Sequence, residues 1–197
     1  MSDLDPIEAA LSPAQLEAWK ACRAPGEMPV SRFADETERS KGTVGNHLSR
    51  AEDNLADAAD EFADAATPVD FKTECQRRST SWKRAAPMAD DTEIRKLNSY
   101  AWAVRLPDGQ THVTALLRRE DYFAGWCDCK GFTYNGGPCA HLCTLRQAAF
   151  VHVESDDGDR VRIPEQPPKT PATDGGQPVE PAAGHDGREF GRPESQL

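Results

Sequence analysis

The sequence predicts an α+β chain of 197 residues. Three helices occupy residues 1–66. A basic linker or helix follows over 67–97, and a small β-hairpin closed by one helix (ββα) over 98–152. A disordered tail runs over 153–197. Three observations carry this prediction. Apolar residues recur at three- and four-residue steps in the first third of the chain. The period drops to two at Tyr100. The last stretch is rich in Pro and Gly and nearly free of large apolar side chains.

In chain order, "LSPAQLEAWKAC" offers Ser12 as an N-cap and Pro13 at the first helical position. "PVSRFADETERS" gives a short second helix, with Val30, Phe33 and Ala34 as its apolar positions. "SKGTVGNHLSRAEDNLADAADEFADAA" gives a longer third. Its Val44, Leu48, Ala51, Leu55, Ala59 and Phe62 form one apolar stripe. In "YAWAVRL", Tyr100, Trp102, Val104 and Leu106 face one way and Ala101, Ala103 and Arg105 the other. "PDGQ" supplies turn chemistry, "THVTALL" a second strand, and residues near Tyr122 to Cys129 a third. "CAHLCTLRQAAF" reads as a helix with Leu142, Leu145 and Ala149 inward. In the tail, "IPEQPPKTPATDGGQPVEPAAGHDGREFGRPESQL" cannot bury enough surface to offset chain entropy.

Charge divides the chain along the same lines. The total is −10. Residues 1–66 carry 14 acids and 6 bases, residues 67–153 carry 9 and 12, and residues 154–197 carry 10 and 5. Positive charge is therefore gathered in the middle. Arg outnumbers Lys and Asp outnumbers Glu. A salt-adapted, halophilic cytoplasm accounts for such a surface, and ordinary acidic proteins share it. No run approaches the ~20 apolar residues of a membrane helix. The acidic opening "MSDLDPIEAA" lacks the order of a secretory signal. A cytoplasmic protein is expected, with no membrane partner.

The chemistry concentrates in "WCDCKGFTYNGGPCAH". Cys127, Cys129, Cys139 and His141 match in number and type what zinc requires, four thiolate or imidazole ligands in a tetrahedron. Alternate residues at a strand end share a face, so the C-x-C sulfurs can point together. Cys139 and His141 lie at the mouth of the last helix. Reduced cytoplasmic thiols favour metal over disulfides. Buried core cysteines are the alternative. Cys143 competes with His141, because it shares a helix face with Cys139. Cys22 and Cys75 stand alone. His112, His152 and His185 read as ordinary residues. One structural zinc is expected, contributing folding energy to a small sheet with little core.

C-x-C, a variable gap and C-x-H, with a hairpin before and an apolar helix after, resembles the SWIM zinc-finger family over about residues 98–152. The resemblance implies a ββα-type zinc module that binds DNA or proteins, and does not imply catalysis. Ala140 stands where the family often carries a basic residue.

At the front, "LSPAQLEA" and Thr43, Val44, His47, Leu48, Ser49 and Arg50 resemble the helix-turn-helix of response-regulator output domains and sigma-factor region four. The resemblance implies that the third helix lies in the major groove. It would expose Lys41, Thr43, Asn46, His47 and Arg50 to DNA, with Ser40 as N-cap. Arg39 to Ala51 contains three bases and no acid, as a phosphate-facing helix requires. A plain three-helix bundle is the alternative. In "CQRRSTSWKR", four bases surround Trp82, which suits phosphate and base contact or a solvated helix face over one buried Trp.

No phosphate loop and no paired His-Glu zinc motif is present, and four protein ligands leave a zinc no open position. The expectation is a DNA-binding transcriptional regulator without enzymatic activity or a small-molecule substrate. The alternative is a protein–protein adaptor in a recombination, repair or mobile-element complex.

Overall fold

A computed structural model describes residues 5–107, 109–135 and 137–166. The chain begins with five helices: α1 (Pro6–Ala10), α2 (Pro13–Cys22), α3 (Val30–Glu36), α4 (Lys41–Asp57) and α5 (Ala59–Ala65). The Ser12 N–H donates to Gln15 Oε1, and Ser40 Oγ accepts from the Thr43 N–H, so both predicted N-caps are used. The predicted third helix breaks at Ala58, where ψ turns to 34°. The break lets Leu55 and Phe62 bury in one cluster without one straight helix reaching past it.

β1 (Thr67–Val69), α6 (Phe71–Arg77), α7 (Thr80–Arg84), β2 (Glu93–Lys96), β3 (Ala101–Arg105), β4 (Thr111–Arg119), β5 (Tyr122–Cys127), α8 (Lys130–Asn135) and α9 (Ala140–Val151) follow. The strands form one antiparallel sheet ordered β1-β5-β4-β3-β2. Residues 67–97, expected as a basic linker or helix, hold more structure than that. They supply both outer strands and two helices, and the expected ββα unit is embedded in a five-stranded sheet.

Both sheet faces are covered, and the strand alternation sorts the coverings. Trp102, Val104, Leu116 and Cys127 pack with Leu142 and Leu145 of α9. Ala101, Val113 and Ala115 pack with Ile7, Trp19, Ala51, Leu55 and Phe62 of the N-terminal helices. The alanines on this second face leave room for helices to approach. Phe62 meets Trp126 edge to face at 5.8 Å, a favourable aromatic geometry. The front helices and the sheet thus share a core.

Asn98 ties the two layers. Its amide donates to Leu55 O at 2.7 Å, and its Oδ1 accepts from the N–H groups of Tyr100 and Ala101. Asn98→Ala strands buried backbone groups. It should lower stability by about 2 kcal/mol, seen as a fall in the urea midpoint at unchanged slope.

Residues 153–166 correct the expected start of the disordered tail. Val161 is buried, and its N–H donates to Val153 O. The Asp156 N–H reaches Ile94 O, and Asp157 Oδ2 accepts from the Lys96 N–H. Val153, Val161 and Ile163 are few, but they join the core cluster beneath α9. The rest of the expected tail, His185 included, lies outside the described residues.

Candidate metal centre

β5 alternates, so Phe123, Gly125 and Cys127 face α9. Gly125 sets how closely that helix can lie. A Cβ there would stand 2.7 Å from Leu142 Cδ2. The close seat brings the start of α9 to the end of β5. Cys139 is the helix's N-cap residue and His141 its second residue. The Asp128 N–H still bonds Val113 O, after which the chain leaves the sheet and Cys129 Sγ accepts from the Phe132 N–H of α8 at 3.4 Å.

The result is one cluster. Ligand atoms of Cys127, Cys129, Cys139 and His141 lie within 4.8 Å of one another. His141 Nδ1 stands 3.8 Å from Cys127 Sγ and 3.9 Å from Cys139 Sγ. Tetrahedral zinc with ordinary bond lengths places such atoms about 3.5–3.8 Å apart, close to the two histidine spacings, and the donor set is the kind zinc takes. Their electrostatics fit as well. Burial pushes the Cys127 thiol well up, while hydrogen bonds from Cys127 and Cys139 hold the Cys129 thiol well below its usual range. Three adjacent buried thiolates repel one another, and a bound dication would allow all three to ionise.

Cys143 stays outside the group. Burial pushes its thiol up to about 12, as for an inert core cysteine. His141, the competing fourth ligand, instead places its Nδ1 near two of the sulfurs.

Two neighbours were not singled out by sequence. His112 Nδ1 and Asp128 Oδ1 are 2.8 Å apart, and the His112 ring lies 4.7 Å from that of His141. Burial lowers the His112 pKa, but the Asp128 hydrogen bond and charge outweigh it, and the net shift is upward. The available signal was register. Thr114 pairs with Cys127, so even-numbered β4 positions share the face of the cluster.

The five expected DNA contacts lie elsewhere. Lys41, Thr43, Asn46 and Arg50 are exposed on α4 and His47 is half-buried, while Val44 and Leu48 turn inward. Helical spacing puts Thr43, Asn46, His47 and Arg50 on one face, and Lys41 apart from them at the helix start. Within the sheet-spanning core, α4 lies on the face opposite α9 and the cysteines.

The basic run around Trp82 forms α6 and α7, and Trp82 packs partly buried against the α9 side of the core. Beside it, a groove of about 1190 Å³ runs between α6–α7, the β4–β5 turn and the end of α9. Met88 and Phe150, exposed by 77 % and 73 %, lie on its walls.

A cluster of three buried cysteines and one half-buried histidine, mounted between a sheet end and a helix start of an α+β chain, has the ligand set of a zinc-binding module. The particular module is a SWIM zinc finger, whose family model matches residues 112–148. No curated protein and no solved structure matches the chain. No helix among the described residues is long and apolar enough to cross a membrane.

Proposed function

We propose that the protein is a DNA-binding transcriptional regulator in which a single structural zinc stabilises the sheet and α4 meets the duplex. The observation that carries this reading is the solvent face of α4. Thr43, Asn46, His47 and Arg50 share it, and no acid occurs from Arg39 to Ala51. Lys41 and Arg50 have no ion-pair partner among the described residues, whereas nearby Arg23, Arg32 and Arg39 each hold a glutamate. Unpaired cations beside short polar side chains suit a phosphate-and-base surface. A zinc held by Cys127, Cys129, Cys139 and His141 would keep no open position, which suits a structural rather than a catalytic ion.

Fluorescence anisotropy with duplex DNA across a salt series tests this. Affinity should fall steeply with salt, and Lys41→Ala and Arg50→Ala should each reduce the slope by about 1 while zinc is retained. A flat salt response, or wild-type binding by both variants, removes α4 as the reader.

The apolar groove favours a second reading, an adaptor that binds another protein. Exposed apolar patches of this kind commonly mark interaction sites. Phe150→Glu would then abolish partner capture without touching DNA affinity.

A further inference from the structure

A cavity of about 500 Å³ opens onto the cysteine cluster. Cys129, Cys139 and His141 line it, and two further walls come from distant parts of the chain: Ser81 and Arg84 on α7, and Lys130 and Asn135 on α8. Arg84 and Lys130 have no hydrogen bond or ion pair to any described side chain. Other cations of the chain, such as Lys20, Arg39, Arg95 and Arg105, each hold a glutamate. Asp128 is the carboxylate lining the cavity, and His112 already engages it. Two unpaired cations of different kinds thus face a space bordered by a hydroxyl and an amide that also lack described side-chain partners.

We propose that this cavity is an anion site that takes a phosphate group. Arg84 offers a planar fork that matches phosphate oxygens, Lys130 a mobile point charge, and Ser81 and Asn135 neutral donors. The cysteine cluster holds the walls in register, because Lys130 follows Cys129 directly and α9 starts at Cys139. The phosphate comes either from a nucleic-acid backbone or from a free phosphate compound. Arg84 belongs to the basic run whose role the α4 reading leaves unused, and the site stands independently of α4.

Calorimetric titration of the zinc-loaded protein, at fixed chloride, tests the assignment. The probes are inorganic phosphate and a ten-residue oligothymidylate without terminal phosphate. Saturable binding of phosphate at one site per chain is expected, falling at least tenfold in Arg84→Ala/Lys130→Ala with zinc content unchanged. Both residues are exposed, so the double variant should fold. If oligothymidylate competes with phosphate, the source is a nucleic-acid backbone. If phosphate binds and the oligomer does not compete, the source is a free phosphate compound. Lys41→Ala/Arg50→Ala should leave the inorganic-phosphate titration unchanged, which separates this site from the α4 reading. The proposal is overturned if neither probe saturates the wild type, or if the Arg84/Lys130 variant binds both as the wild type does.

Discussion

Cys139→Ser will lower the stability of the folded chain by about 5 kcal/mol or more, and chelation of the wild type will do the same. Structural zinc sites contribute binding free energy directly to folding, ~10 kcal/mol or more in small zinc peptides. Here the ion would join the end of β5, the start of α8 and the N-cap of α9, three segments that otherwise meet through buried thiols. Without it, the groups within 4.8 Å of one another must stay largely protonated or repel. Serine keeps the size but is a poor zinc ligand. Thermal unfolding followed by circular dichroism should show both treatments converging on the same lowered midpoint. A Cys139→Ser protein that melts with the wild type, zinc still bound, would refute the clamp.

Gly125→Val should cost about 3 kcal/mol and weaken zinc retention together. Its Cβ would stand 2.7 Å from Leu142 Cδ2 and 3.3 Å from Cδ1. Leu142 is fully buried, so its methyls have no free space to swing into. The helix must lift, and His141, one residue earlier, lifts with it. Combining Gly125→Val with Leu142→Ala should recover part of the loss, a non-additive pair by urea denaturation. Additive costs would mean that Gly125 is not seated against this helix.

The sequence made the metal ligands legible because C-x-C and C-x-H combine ligand chemistry with short spacing, and both pairs sit at element ends. It also revealed β3 and β4, where "YAWAVRL" and "THVTALL" carry period-two patterns. The outer strands were hidden. β1 is three residues long and contains Pro68, and β2, "EIRK", buries only Ile94. Neither is long enough to display a period. The second covered face was hidden as well, because it is written in alanines (Ala101, Ala115 and Ala124), which signal neither burial nor exposure. Once both faces are covered, the front helices stop being a separate module. That also explains why α4 breaks at Ala58, where its stripe passes onto the sheet. The α7–α8 cavity depends on long-range packing of Arg84 beside Lys130, forty-six positions later, and no local pattern encodes it.

The zinc content of the intact chain tests the account most directly. Native mass spectrometry of protein purified without chelator should show the mass of the chain plus one zinc ion, lost in Cys127→Ser, Cys129→Ser and Cys139→Ser but kept in Cys143→Ser. A metal-free wild-type chain, or zinc that depends on Cys143 and not on Cys139, would contradict the assignment of Cys127, Cys129, Cys139 and His141 as the centre around which this half of the protein folds.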